Sequence, residues 1–191
     1  MFCQSTRSEE PAEIEDETII PRLMGVLDEE NTTYRRAAVK ALGAIGPATV
    51  PPLIEALLHS DNVTVRGSAA KALAQVTICH PDIPFPEDGI QGLSKALEDL
   101  NPVVHIAAVM ALAEIGSPDV VEVLINALKS TENPALAVSI VNGLASIGDE
   151  RGIAVLTSIT QQESADSYVR ETAISALSRL ETVMKLKHKQ P

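Results

Sequence analysis

Two residues that could together carry out covalent chemistry are neighbours in the segment TICHPDIPFPEDG, residues 77–89. Cys79 is a candidate nucleophile and His80 a candidate base, because a thiol reacts as its thiolate and needs a base within hydrogen-bond reach. Adjacent side chains usually point apart, and Asp82, which would have to orient the imidazole, is close only in sequence. The favoured alternative is that Cys79 is a partly buried thiol at the end of a helix.

Basic residues form a second candidate site, one for anions. An arginine can hold a carboxylate through two parallel hydrogen bonds, and lysines add positive charge beside it. The residues in question are Arg35, Arg36, Lys40, Arg66 and Lys71. A structural alternative stays open, in which the arginines bond acidic or carbonyl groups nearby and the lysines are solvated.

Composition argues against several other functions. The formal net charge is −11, whereas binding to nucleic acid needs a clustered basic surface. No apolar run reaches the roughly 20 residues that span a bilayer, and the first residues lack a secretory signal pattern, so we expect no membrane span. Two cysteines are too few for a disulfide framework. No metal site is expected, because His105 has no cysteine, aspartate or histidine three or four residues later.

An internal repeat in the sequence shows where the candidate residues lie in the fold. Five segments align without a gap on a small residue that is followed by leucine. This small residue is alanine in four copies, at Ala41, Ala72, Ala111 and Ala176, and glycine in one, at Gly143. The spacings are 31, 39, 32 and 33 residues, so the third copy starts late and the excess falls within residues 77–89. Insertions of this kind form loops on one face of a repeat protein. We expect Phe85, between two prolines, to plug the boundary between repeats.

Each copy predicts a helix, a short turn and a second helix. Ten residues before the aligned small residue stands a side chain that can cap the second helix: Asn31, Asn62, Asn101, Asn133 and Asp166. Apolar residues then recur at helical spacing, and Gly46, Gly116 and Gly148 stand where three of these helices should stop. Because one unit cannot bury its apolar side alone, the sequence predicts an all-α fold, an α-solenoid of five helix-turn-helix repeats.

The predicted solenoid leaves both ends of the chain outside it. It covers residues 18–181, in units at about 18–46, 48–77, 90–117, 118–149 and 150–181, with the loop insertion at 77–89. An acidic flexible segment, residues 1–17, precedes it, and a basic tail, residues 182–191, follows it. Neither end carries a dedicated capping helix, so Ile19 at one end, and Ile174 and Leu177 at the other, are candidates for coverage by another chain.

One position of the repeat deserves a name, because it carries most of the candidate arginines. Six residues before the aligned small residue stand Arg35, Arg66, His105, Ala137 and Arg170, and we call this the ladder position. Stacked second helices should place these residues in a row. The structural interpretation is that each arginine bonds the neighbouring repeat, and the functional one is an anion clamp. His105 is interpreted as a satisfied polar residue rather than a ligand.

The second helices carry the motif V-R-x-x-A-x-x-A-L-x-x-I-G, and prolines stand near the start of several first helices. Both features resemble HEAT repeats of the short type found in the phycobilisome lyase families. The segments PRLMGVLDEENTTYRRAAVKALGAIG, DNVTVRGSAAKALAQV and NPVVHIAAVMALAEIGS resemble most the smaller subunit of two-subunit phycocyanin- or phycoerythrin-type bilin lyases and related chaperone-like proteins.

The resemblance implies a function, a location and partners. It implies a protein of a cyanobacterial cytoplasm or a plastid stroma that helps to attach a linear tetrapyrrole, a bilin, to a cysteine of a phycobiliprotein apo-subunit. No cofactor would be bound permanently; the bilin would be a transient ligand. Any enzymatic activity would need a partner chain, a second HEAT-repeat subunit. The alternative is a non-enzymatic HEAT scaffold that binds another protein, such as an iron–sulfur assembly factor or a factor for a photosynthetic complex.

The resemblance also gives the basic residues a ligand. A bilin carries two propionates, which match the charge of Arg35, Arg36, Lys40, Arg66 and Lys71. Tyr34 and His105 are further candidates for ligand or partner binding because they lie at or next to the ladder position. An exposed tyrosine beside an arginine could stack on a pyrrole ring.

Overall fold

The structure is a computed structural model that describes residues 18–163 and 165–187. These residues form ten α-helices, and no strand occurs among them. The first and second helices of the five repeats are α1 (Ile19–Gly25) and α2 (Thr32–Ile45), α3 (Val50–His59) and α4 (Val63–Cys79), α5 (Glu87–Lys95) and α6 (Pro102–Ile115), α7 (Pro118–Ser130) and α8 (Pro134–Ile147), and α9 (Arg151–Gln161) and α10 (Ser167–Lys187).

The helices stack in two layers. The second helices α2, α4, α6, α8 and α10 pack side by side in chain order, each on the next. The first helices form the other layer, in which α3 contacts α5 and α7 contacts α9. Each helix buries one apolar side against its neighbours, so no repeat is stable without the next one. The predicted all-α solenoid is confirmed.

The predicted helix starts are confirmed in all five repeats. The side chains of Asn31, Asn62, Asn101, Asn133 and Asp166 each accept a hydrogen bond from a backbone N–H two residues later. These bonds satisfy N–H groups that have no partner within the helix. The predicted stops also hold, because Gly46, Gly116 and Gly148 end their helices with φ of 94°, 56° and 66°. Such backbone conformations favour glycine.

One continuous apolar core runs through the stack. The leucines that follow the aligned small residue, Leu42, Leu73, Leu112 and Leu144, are at most 1 % exposed. Leu27, Leu53, Leu93 and Leu124 of the first-helix layer are completely buried as well. Small residues such as Ala69, Ala72 and Ala108 lie between these leucines and let the second helices approach closely. The core therefore forms without any tryptophan.

The structure moves two of the predicted boundaries. Helix α4 continues through Cys79 and α5 begins at Glu87, so the connection is residues 80–86 rather than 77–89. Helix α10 continues to Lys187, although the sequence placed the start of a basic tail at residue 182. The apolar pattern weakens at both places, but the helical hydrogen bonds continue. The predicted acidic segment, residues 1–17, lies outside the described residues.

No single helix among the described residues has both the length and the apolar content to cross a membrane. The segments Thr32–Ile45 and Pro47–His59 meet the criterion only when they are taken together, and they are bent by 119° relative to each other.

Candidate ligand- and partner-binding surface

The ladder residue Arg66 joins repeats two and three. Its Nε lies 2.7 Å from Oδ2 of Asp99 and its Nη2 lies 3.2 Å from Oδ1, which is a bidentate pair with the next repeat. Its Nη1 donates to the carbonyl oxygens of Ser60 and Asp61 in the preceding turn. The guanidinium is therefore engaged on all sides, which agrees with the structural interpretation of the ladder at this residue.

Charge and burial explain how this pair titrates. The side chains of Arg66 and Asp99 are 16 % and 12 % exposed. The hydrogen bond to Asp99 raises the pKa of Arg66 despite the opposing effect of burial. Burial by itself would raise the pKa of Asp99, but the bonds from Arg66 and from the backbone N–H of Asn101 outweigh it and hold the pKa below its usual value. Both groups are charged at neutral pH.

The turn of repeat one is held in a similar way. Arg35 donates to the carbonyl oxygens of Glu29 and Glu30 in its own turn. The side-chain amide of Asn62 donates to the carboxylate of Asp28, which links this turn to repeat two. These contacts lie at the edge of the stack where the turns meet. The expectation that each ladder arginine bonds the neighbouring repeat is wrong for Arg35, which bonds its own turn. Like Arg66, it nevertheless serves the fold.

The third ladder residue, His105, is buried. It is 3 % exposed, and its Nε2 has no hydrogen-bond partner among the described residues. The interpretation of His105 as a satisfied polar residue is therefore wrong at this atom. Burial lowers the pKa of His105, and the negative charge of Asp99 opposes this shift only in part. The ring is neutral at pH 7 and lies within the electrostatic influence of Asp99. The structure thus places His105 inside the stack, away from any surface site.

The remaining basic candidates are available to a ligand. Arg36, Lys40 and Lys71 are exposed, and none forms a hydrogen bond or an ion pair within residues 18–163 and 165–187. Lys40 and Lys71 occupy the same position in the adjacent helices α2 and α4, whose axes should lie about 8–10 Å apart. Arg36 is one turn before Lys40 on the same side of α2. We call these three residues the basic cluster; they can attract and hold a ligand with two carboxylates.

Tyr34 lies near this cluster but on a different part of the helix. It stands in the first turn of α2 and is 64 % exposed. Its ring has a free face, as stacking on a planar ligand requires. It is not on the same side of α2 as Arg36 and Lys40, because it precedes them by two and six residues in the helix.

The loop residues have structural contacts. Nε2 of His80 lies 3.0 Å from the carbonyl oxygen of Ala44 at the end of α2. Because a carbonyl only accepts, Nε2 donates the proton in this bond, and the ring thereby joins the end of α4 to the end of α2. Cys79 is the partly buried last residue of α4, as the alternative interpretation had it. Phe85 is half-buried, and its ring packs over Gly89 and against the core.

Three grooves lie on the described surface. One, of about 800 Å³, opens between α7 and α9, where the ladder residue is Ala137 instead of a long basic side chain. Its floor includes Ile125, Leu128 and Val155, and its rim carries charges of both signs. A groove of about 560 Å³ lies under the loop and contacts Phe85, and one of about 330 Å³ separates α6 from α8.

Sequence reasoning missed one group of residues. Leu100, Val103, Ile106 and Met110 are exposed large apolar residues of repeat three, at 101 %, 54 %, 39 % and 61 %. We call them the apolar stripe. The signal was present in the repeat alignment, because the position of Met110 carries Lys40, Lys71, Asn142 and Ser175 in the other repeats. Apolar residues at helical spacing predict a core, and only the comparison between repeats distinguishes those that face outward.

A metal site was sought among the cysteine, histidine and acidic side chains that the structure describes. Among residues 18–163 and 165–187, no group of three or more histidine, cysteine, aspartate or glutamate side chains is arranged to hold a metal ion. What this surface offers is recognition, by exposed cations and by exposed apolar side chains.

Comparison with known proteins decides the family. The sequence pattern of HEAT repeats matches residues 9–76 and 90–178, which is most of the chain. The chain belongs to the HEAT-repeat family. A phycocyanin operon protein Z from Pseudanabaena tenuis is 67 % identical over 168 residues, covering 88 % of this chain and 83 % of that protein. The bilin biosynthesis protein CpeZ from a Synechococcus species is 34 % identical over 169 residues, covering 86 % of this chain and 90 % of CpeZ. This HEAT-repeat chain therefore belongs with these two cyanobacterial proteins.

Solved structures agree on the fold. A chain from the complex of CpcE and CpcF of phycocyanin lyase from Nostoc matches with a TM-score of 0.64 and 20 % identity, over 82 % of this chain and 96 % of that one. Human deoxyhypusine hydroxylase matches with a TM-score of 0.57 and 21 % identity, over 85 % of this chain and 74 % of the enzyme. At these identities the similarity shows a shared HEAT solenoid, which carries unrelated activities.

Proposed function

We propose that this HEAT-repeat protein assists the covalent attachment of a bilin to a cysteine of a phycobiliprotein, either as a lyase subunit or as a chaperone. The observation that carries the proposal is the 34 % identity to bilin biosynthesis protein CpeZ over most of both chains. The strong similarity to a protein from a phycocyanin operon supports it. The setting would be a cyanobacterial cytoplasm or a plastid stroma, where bilin and apoprotein meet.

The basic cluster gives the proposal a ligand site. A bilin has two propionates, and Arg36, Lys40 and Lys71 are exposed cations on adjacent helices with no partner of their own in the described part of the chain. Arg35 and Arg66, which the resemblance also implied, are engaged in holding the turns. We therefore assign the transient binding of bilin carboxylates to the basic cluster and not to the ladder residues Arg35 and Arg66.

The chemistry to be assisted is an addition. The acceptor thiol adds across a carbon–carbon double bond of the bilin side chain, so that sulfur bonds to one carbon and a proton to the other, and no atom leaves. No oxidant or reductant is consumed. A protein can accelerate such a step by holding the bilin near the thiol in the right orientation. That role fits a chain whose Cys79 and His80 are used in structural positions.

A partner chain is part of the proposal. The structural relative named above comes from a complex of two proteins, CpcE and CpcF, of phycocyanin lyase. We infer that a second HEAT-repeat subunit joins this chain and that the phycobiliprotein apo-subunit binds to the pair. This second subunit would supply the acid–base groups that the described residues do not bring together.

Co-expression tests the proposal. The chain is produced with a bilin-synthesising system and the α or β apo-subunit of phycocyanin or phycoerythrin, with and without a candidate second HEAT subunit. Covalent pigment is read as zinc-enhanced fluorescence of the denatured subunit. We expect pigment that depends on this chain, and a decrease of at least about tenfold for the variant Lys40→Glu/Lys71→Glu, because each reversed charge repels a propionate.

A matched control separates local from global charge. Lys95→Glu changes an equally exposed lysine on the first helix α5, and it should leave pigment attachment unchanged. Pigment that forms equally well without the chain would refute the proposal. If the chain then binds a different protein tightly and no bilin, it is the non-enzymatic HEAT scaffold that the sequence also allows.

A further inference from the structure

The outward side of α6 differs in chemistry from that of its neighbours. At the place of Met110, the other second helices carry lysine, asparagine or serine, and at the place of Leu100 the other repeats carry Glu30, Asp61, Glu132 and Ala165. Repeat three instead shows the apolar stripe to solvent. A large apolar side chain in water stabilises nothing in the isolated chain, so a set of four in line indicates a contact surface.

The stripe has the spacing of a helix side. Val103, Ile106 and Met110 follow one another by three and four positions, so they lie in a row along α6 over about 10 Å. Leu100 lies in the turn just before this helix. The stretch from Leu100 to Ala113 contains no aspartate, glutamate, lysine or arginine, and neither does the stretch from Asn133 to Gly148 that forms α8. Between the two helices runs the groove of about 330 Å³, whose lining includes Glu114 at one end. An apolar centre with charges only at its border is the composition of an interface core.

A positive border flanks this centre on one side. Lys71 of α4 occupies the same repeat position as Met110, and α4 packs directly against α6. The apolar stripe and the basic cluster are therefore neighbouring parts of one continuous surface, with axes about 8–10 Å apart from helix to helix. On the other side the surface is polar, at Ser139, Asn142 and Ser146, and Arg179 donates a hydrogen bond to Oδ1 of Asn142.

We propose that the apolar stripe is the docking surface for a helical segment of the acceptor phycobiliprotein apo-subunit, the segment next to the cysteine that receives the bilin. This inference rests on the proposed function and adds the surface on which the acceptor binds. A helix laid against the groove brings its own apolar residues, spaced by three and four, onto Leu100, Val103, Ile106 and Met110. Lys71, at the border of the stripe, stays available to a propionate of the bilin.

The position of the stripe gives this docking a purpose. A bilin held by its propionates at Lys40 and Lys71 lies one helix away from Met110. A segment docked on the stripe therefore carries its cysteine to the surface next to the pigment, which turns an encounter in solution into a reaction between two groups on one surface. A helix also fits the dimensions, since its diameter of about 10 Å matches the spacing of the second helices.

Direct binding of apo-subunits tests this inference. The purified α and β apo-subunits of phycocyanin and phycoerythrin are immobilised, and the affinity of the wild-type chain is measured by biolayer interferometry in the absence of bilin. The variant Ile106→Ser/Met110→Ser should bind its apo-subunit at least tenfold more weakly. The control Ile83→Ser removes an exposed isoleucine, 49 % exposed, from the loop and should bind as the wild type does.

A second variant guards against a folding defect. Leu100→Ser alters a side chain that is fully exposed and packs against nothing, so its fold is preserved, and it should still weaken binding measurably. Circular dichroism of each variant checks the helix content.

The outcomes separate the inference from the proposed function. If the chain promotes pigment attachment but the stripe variants bind every apo-subunit as tightly as the wild type does, the docking surface is wrong and the proposed function stands. The docking surface is also wrong, and the proposed function also stands, if the stripe variants lose binding only to the second HEAT-repeat subunit. If the chain neither promotes attachment nor binds an apo-subunit, both fail.

Discussion

The Arg66–Asp99 pair should be a main energetic link between repeats two and three. Replacing Arg66 by methionine keeps a similar apolar stem but removes two hydrogen bonds to Asp99 and those to the carbonyl oxygens of Ser60 and Asp61. It also leaves the carboxylate of Asp99, 12 % exposed, without its counter-charge. Exposed pairs contribute about 0–1 kcal/mol, and the loss of one partner of a fully buried pair costs about 3–5 kcal/mol. We expect a loss of about 2 kcal/mol in the free energy of unfolding, between these limits.

A double-mutant cycle measures the pair itself. The variants Arg66→Met, Asp99→Asn and the combination are unfolded with urea at pH 7, and the coupling energy should be at least about 1 kcal/mol. Because the folded-state pKa of Asp99 lies below its usual value, this coupling is present above the usual pKa of an aspartate and is lost as the pH falls through the lowered pKa. Arg35→Met, which removes bonds to carbonyl oxygens but no pair with a side chain, should cost less. A coupling energy near zero at pH 7 would refute the structural assignment of the ladder.

Two further variants test the fold. Gly148→Ala should lower the free energy of unfolding by about 2 kcal/mol, because φ is 66° and the added Cβ would collide with Cγ1 of Val183. Gly25→Ala, a helical position with open space around the added Cβ, should raise the free energy of unfolding by about 0.5–1 kcal/mol. Thermal unfolding of both variants and the wild type measures these changes. His105→Leu should raise stability at pH 7 by about 1 kcal/mol, since it removes a buried nitrogen without a partner. Because burial lowers the pKa of His105, the wild type should also lose stability as the pH falls from about 7 to 5, and the leucine variant should lose less; equal pH profiles would show that His105 does not titrate as described.

The sequence by itself determined the repeat architecture. Cap residues, helix stops and helical spacing are local signals, and each acts within one or two turns of the chain. For that reason Asn31, Asn62, Asn101, Asn133 and Asp166 could be assigned as caps from their positions alone, and the structure has all five in that role. Five agreeing copies made the solenoid the consistent solution.

Only the tertiary structure decided which candidate residues are available. Arg35 and Arg36 are neighbours in sequence, yet one bonds the turn and the other faces solvent, because successive helical residues point about 100° apart. The partner of Arg66 is Asp99 in the next repeat, 33 residues away in the sequence. The same holds for Met110 and Ile106, whose exposure depends on how α6 meets α4 and α8. Local pattern determines a helix, but contacts between helices determine which of its sides remains for a partner.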